Sequence, residues 1–185
     1  MRRSWGGTAA LVGVAIFVVT VVALHRLQPD YQPAQQLMSE LALGQHGGAM
    51  MLAFCGLALA IFGIQIGVAT AGAALGFRVL LLITSLLFVS SGVFPLGDTS
   101  EIHIGAIAGA FVLSVLAMYL FPSCAGRASV LAPRTLSWTL AAGVAVSVVL
   151  GHSVVPMGIG QRLAAACLLL WLGILGWRLR ANAIE

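Results

Sequence analysis

Lysine is missing altogether, and charge of either sign is scarce: nine arginines and five acidic residues are all that 185 residues carry. A soluble domain has roughly a quarter of its residues charged; here the figure is 8%, which excludes an ordinary water-exposed surface. The pI near 9.6 does not describe a nucleic-acid-binding face either, because no basic run is longer than Arg2-Arg3. Cysteine is equally sparse. Cys55 and Cys167 fall inside apolar runs and Cys124 in a loop, with no C-x-x-C spacing. A disulfide framework and a cysteine-based zinc site are thereby disfavoured. Finally, no Asp, Glu, Arg or His falls near the middle of an apolar run. Pumps and proton-coupled transporters place such groups at the bilayer midplane, so transport is the least favoured function.

What the chain has is apolar length. It is 61% hydrophobic, with a mean hydropathy of +1.08. A bilayer core needs about 20 apolar residues per helix, since each segment must satisfy its own backbone polar groups. Six segments qualify, at about 8–25, 48–70, 77–96, 103–121, 135–153 and 159–178. The expected fold is all-α: a polytopic, six-helix membrane bundle forming a single integral membrane domain over 1–185. Arg2-Arg3 before an apolar run resembles a signal peptide. Thr8 to Leu24 is long for one, and no clear A-x-A site follows, so it reads as a retained first span.

Arginine placement sets the orientation. With the N-terminus inside, Arg2, Arg3, Arg78, Arg127, Arg134, Arg178 and Arg180 are cytoplasmic, while Arg26 and Arg162 alone lie outside. The expectation is a multi-pass protein of the cell's inner (plasma) membrane with both termini in the cytoplasm. Trp5, Trp138 and Trp177 then mark the cytoplasmic interface, where aromatic belts form.

The one long loop, His25 to Gly47, is external. Ala34, Leu37, Met38 and Leu41 follow the i, i+3, i+4, i+7 spacing, and Pro33 suits a first turn. This predicts a short amphipathic helix at the outer interface. Gly63 and Gly67, and Gly105 and Gly109, form G-x-x-x-G pairs of the kind that let helix backbones approach. Val93-Phe94-Pro95-Leu96-Gly97 and Val154-Val155-Pro156-Met157-Gly158 echo each other as two external turns, with Glu101 and Arg162 in matching places.

On this topology the scarce polar chemistry gathers outside: Asp30, Glu40, Asp98, Glu101 and all four histidines, His25, His46, His103 and His152. Arg162 stands in the first turn of the sixth helix, at the positive end of its dipole, where a cation is disfavoured. A charge near the hydrocarbon boundary needs a partner, and an ion pair to Asp98, Glu101 or Glu40 is expected. Asp98-Thr99-Ser100-Glu101 also reads as a capping box opening the fourth helix. His103 stands as a metal ligand, a general base or a plain interfacial histidine. No H-x-x-x-H or H-E-x-x-H motif is present, so a metal site would have to be assembled from separate helices, with His103, His152 and Asp98 as candidates. Haem between two facing histidines is a weaker alternative, without C-x-x-C-H to support it.

Pro29-Asp30-Tyr31, then Ser39-Glu40-Leu41, then Gly92-Val93-Phe94-Pro95 with Asp98, His103, and Gly158 to Arg162 together resemble the membrane proteins grouped as domain of unknown function 998. The resemblance covers nearly the whole chain. It implies an α-helical membrane bundle, marks Ser39, Glu40, Asp98, His103 and Arg162 as family-like polar positions, and supplies no reaction.

Two function classes follow. The first is a binding protein with an outer-face polar pocket drawn from Glu40, Asp98, Glu101, His103, His152 and Arg162. It would take a lipid headgroup or small polar ligand from the surrounding membrane lipid. The second is an interfacial enzyme acting on lipid, a hydrolase or transferase with His103 as base or metal ligand, Asp98 as its orienter and Ser39 as nucleophile.

Overall fold

The computed structural model describes residues 2–181, and the side chains of 5–151 and 153–181. Six helices carry the chain: α1 (Arg2–Leu27), α2 (Met50–Ala69), α3 (Leu75–Val93), α4 (Ser100–Cys124), α5 (Arg134–Ser153) and α6 (Met157–Ala181). Short 3-10 turns occur at Met38–Ala42, Gly47–Ala49 and Gly126–Leu131, and no strand forms among the described residues. All six helices are long and apolar enough to cross a membrane.

Helix ends fall where the backbone chemistry dictates. Pro133 and Pro156 stand immediately before α5 and α6, where a missing N–H costs nothing. Pro95 stops α3 two residues after Val93, so the third span is shorter than the sequence pattern suggested. Between α2 and α3, Gly72 takes a φ of +81°, a left-handed conformation that glycine adopts without strain.

The helices close a ring in chain order, α1 against α2 and so on to α6, which returns to α1. Phe88, Phe121, Met118, Trp171, Leu168 and Leu172 fill its interior, and Trp171 Nε1 donates to Ser137 Oγ at 3.1 Å. The α1–α2 seam is closed by small residues. A Cβ on Gly63 would lie 2.6 Å from the carbonyl oxygen of Gly6, so the Gly63 pairing is a backbone contact. Gly105 behaves otherwise: a Cβ there meets nothing within 4 Å, and one on Gly109 meets only Leu87. That G-x-x-x-G pair is not a packing motif, because it faces away from the neighbouring backbones. The loosest contact between sequence neighbours in the ring is α4 with α5.

One end of the bundle holds Arg78, Arg127, Arg134, Arg178 and Arg180; the other holds Arg26, Arg162 and the long loop. At the arginine-rich end, Trp138 stacks on Tyr119 at 5.3 Å and donates to its carbonyl, with Arg134 over the indole.

The expected short helix in the loop is present but shorter and tighter than 34–43. Only Met38–Ala42 is helical, as a 3-10 turn, and the residues before it run as an irregular strap. The apolar side chains are used differently from the expectation too. Met38 and Leu41 are buried in the bundle core. The segment is a plug seated on the protein, and its peptide groups are held by specific side chains described next.

Candidate functional site

Arg162 is the centre of the first polar cluster. Its guanidinium donates from Nη1 to the carbonyls of Gln36 (3.0 Å) and Gly158 (2.9 Å), and from Nη2 to Tyr31 Oη (2.6 Å) and His25 Nε2 (3.0 Å). The His25 ring is oriented by Nδ1–H donating to Val21 O at 2.6 Å, which leaves Nε2 as the acceptor Arg162 requires. Tyr31 stacks edge-on against His25 at 5.0 Å and donates its hydroxyl to the carbonyls of Gln36 and Leu37. Burial raises the Tyr31 pKa above its ordinary value of 10.0; the hydrogen bond from Arg162 opposes this and does not cancel it. The group is a phenol over the whole physiological range.

No ion pair forms between Arg162 and Asp98, Glu101 or Glu40, which corrects the expectation from the sequence. The reason is the strap. Its carbonyls at Pro33, Ala34 and Gln36 converge on the start of α6, and Ala34 O accepts from the Ile159 N–H at 3.2 Å. They supply the negative potential that offsets both the helix dipole and the guanidinium. Gly158 permits this approach, since any Cβ there would collide with those three carbonyls.

The strap is fixed from other sides as well. Glu40 turns inward, its Oε1 accepting from Leu37 N at 2.8 Å and its Oε2 from Gln36 Nε2 at 3.3 Å. Gln161 Oε1 accepts from Met38 N at 2.5 Å. Gln28, buried, donates to the carbonyls of Leu41 and Gln45. Glu40 is therefore occupied in holding its own loop.

Asp98 and Glu101 go elsewhere. Both are exposed, Asp98 on the turn before α4 and Glu101 in its first turn. The expected capping box does not form: the N-cap is Thr99, whose hydroxyl bonds back to Pro95 O, while Ser100 Oγ closes on Gly97. Gly97, at φ +121°, makes the turn, and its N–H donates to Ser100 Oγ.

His103 forms the second polar centre. It is 1% exposed, on the first turn of α4. Its Nδ1–H donates to Ser91 O (2.9 Å) and Phe94 O (3.0 Å). In an uninterrupted helix the Ser91 carbonyl would accept from residue 95, but Pro95 has no N–H. His103 supplies that missing donor, and doing so fixes its tautomer. Nε2 is left as an acceptor, buried and without any partner, while Phe54 packs edge-on at 5.5 Å.

His103 is also one of the residues lining an apolar groove of about 500 Å³ between α4, α5 and α6. Ile104, Val112, Val115, Val144 and Val148 line its length, and its polar end is made by Ser39, His103 and Gln161. From His103 to Val115 the groove follows α4 for about 18 Å at 1.5 Å per residue, roughly half a bilayer core. Ser39, 3% exposed, makes no hydrogen bond to any described residue. Gln161 has its oxygen committed to the Met38 N–H, so its Nε2 is the free end.

The anticipated single pocket thus separates into three places: Arg162 under the strap, His103 in the groove lining, and Asp98 with Glu101 exposed around the start of α4. Among the histidines, His25 joins Arg162, His46 is exposed, and the side chain of His152 lies outside the described residues. No group of three His, Cys, Asp or Glu side chains that could hold a metal ion occurs among the described residues. His25, Tyr31, Gln36 and Gln161 are among the residues that sequence reasoning left out of the site.

Six apolar helices, a loop plug and an apolar groove with one polar end define a multi-pass helical membrane protein. The family described as "Protein of unknown function (DUF998)" matches residues 11–178, and the chain belongs to it. No curated protein and no solved structure matches.

Proposed function

We propose that this protein binds a membrane lipid in the groove between α4, α5 and α6, taking it laterally from the outer leaflet of the inner (plasma) membrane, with both chain termini in the cytoplasm. The observation that carries this reading is that His103, a residue in the groove lining, has a buried Nε2 without a partner. A buried acceptor left unsatisfied costs about 1–3 kcal/mol, and a ligand donor at that point removes the cost. The groove volume falls within the roughly 300–1,000 Å³ of small-molecule sites. Val112 is 66% exposed at its rim, so the groove opens sideways to lipid. The excess of arginines at the opposite end supports the orientation.

The test is lipid retention. Protein extracted with its native lipids, without detergent exchange, should hold about one lipid per chain in mass spectra. Val112→Trp and Ala145→Trp, which fill the groove from two helices, should lower that retention tenfold and leave the annular lipid unchanged. Equal retention in both variants would end this reading. Reporter fusions at the Asp98 turn and the Arg127 segment check the orientation and should report opposite faces.

A second reading has one specific observation in its favour. Ser39 and His103 border the same groove end, and an acyl-transfer enzyme needs a hydroxyl and an oriented imidazole there. Covalent labelling of Ser39 by a fluorophosphonate, absent in Ser39→Ala, would support it.

A further inference from the structure

The polar end of the groove names the chemistry of its ligand, on the premise that the groove is a lipid site. We infer that the occupant is a neutral long-chain alcohol, a lipid whose head presents a free hydroxyl, and that this hydroxyl sits between His103 and Gln161.

Three observations carry the inference. First, His103 Nδ1–H is committed to the Ser91 and Phe94 carbonyls, so in the neutral ring the unpartnered Nε2 is an acceptor. The ligand must bring a donor. Second, Gln161 Oε1 is taken by the Met38 N–H, so its Nε2 can only donate. The ligand must also bring an acceptor. A hydroxyl is both in one atom, with one O–H to give and lone pairs to receive. Third, no charged side chain among the described residues lines the groove, and the nearest cation on α6, Arg162, has its guanidinium turned to the strap carbonyls, Tyr31 and His25. A phosphate or carboxylate head would be desolvated there with no counter-charge among the described residues, which is costly. An ester or ether oxygen would satisfy Gln161 and leave His103 unpaired. A quaternary ammonium head would satisfy neither.

The strap explains how the site is held. Leu37 and Ser39 border the groove, and the peptides around them are fixed by Tyr31, Glu40, Gln161 and Arg162. Arg162 is accordingly a positioning residue for the groove mouth, not a ligand for the head.

The experiment uses three probes on the purified full chain in a defined nanodisc: 1-tetradecanol, its methyl ether and tetradecyl phosphate. The alcohol should bind at least tenfold more tightly than the ether, the loss expected for one unpaired buried acceptor, and more tightly than the phosphate. In wild-type protein the 15N resonance of His103 Nε2 should shift on adding the alcohol and stay in place with the ether. That measurement needs no substitution, which matters because His103→Ala also removes the donor that caps α3. If Val112→Trp abolishes binding of all three probes while alcohol and ether bind alike, the groove stands and the alcohol inference falls. If the phosphate binds best, the inference likewise falls. If Val112→Trp changes nothing, the groove reading itself falls. A dimer that dissociates in Val112→Trp and never retains lipid would show that a second copy of the chain fills the groove, and would overturn both.

Discussion

Replacing Arg162 by alanine removes a guanidinium that touches four acceptors: the carbonyls of Gln36 and Gly158, Tyr31 Oη and His25 Nε2. The cost is not four times one bond. Gln36 O keeps the Tyr31 hydroxyl, and Gly158 O lies one helical turn before Arg162. His25 is partly exposed, so water can replace the lost donor. What remains is close to one charge-assisted hydrogen bond, about 1.5–3 kcal/mol. Removing a cation from the start of α6 returns about 0.3–1 kcal/mol. The net is about 0.5–2.7 kcal/mol, and it acts on the strap rather than on the whole bundle. In amide hydrogen exchange, the Glu40 and Leu43 N–H groups that close the 3-10 turn should exchange about 2- to 100-fold faster in Arg162→Ala. Amides in the middle of α2 and α4 should be unaffected. Asp98→Asn and Glu101→Gln serve as controls and should change nothing. If the strap amides are untouched in Arg162→Ala, or if either control loosens them equally, the guanidinium is not what holds the loop, and an unseen carboxylate pairing is.

Gly158→Ala should dislodge the strap from α6, because its Cβ meets three carbonyls at once; we expect about 1–3 kcal/mol of destabilisation, seen as a lower thermal midpoint together with faster strap exchange. Gly63→Ala and Gly105→Ala make a matched pair: the first forces α1 and α2 apart and should lower the melting temperature, while the second meets open space and should be neutral or raise stability by up to about 1 kcal/mol from helix propensity. Tyr31 supplies a pH test. Its folded pKa lies above its unfolded value of 10.0, so its contribution is complete below pH 10 and is lost as pH climbs through the folded value. In a Tyr119→Phe background, phenolate absorbance should therefore rise later than for free tyrosine, and later still in Arg162→Ala, which removes the stabilisation of the phenolate; an earlier rise in that variant would contradict the contact.

The spans were legible because a bilayer forces each crossing segment to be apolar over its length, and the six helices fall on the six runs. The partner of Arg162 was not legible for a physical reason. Reasoning from charge looked for a carboxylate, whereas the structure satisfies the cation with backbone carbonyls, which every residue has and no residue type advertises. Only Gly158 carried a trace of that arrangement, and it had been grouped with an external turn. The amphipathic spacing of Ala34, Leu37, Met38 and Leu41 correctly marked apolar side chains that need burial. It misassigned their cover, because periodicity says that a face is apolar and not whether lipid or protein lies against it.

His103 shows the other kind of gap. Pro95 lies four residues after Ser91, and that spacing alone leaves the Ser91 carbonyl without its helical donor. That a side chain must replace it was therefore deducible, but Ser100 and His103 of the following helix can both donate, and the structure uses His103. The groove it serves was not deducible, since a gap between α4 and α5 depends on how far apart two helices stand. Valine and glycine on α5 read in sequence as ordinary lipid-facing residues, and become the wall of a site only once α4 fails to close on them. In a chain with so few ionisable groups, the side chain proposed for recognition need not be a charged one: an imidazole whose Nδ1 is tied down beside a proline, in the lining of an apolar groove, would select for a hydroxyl where an arginine would select for a phosphate.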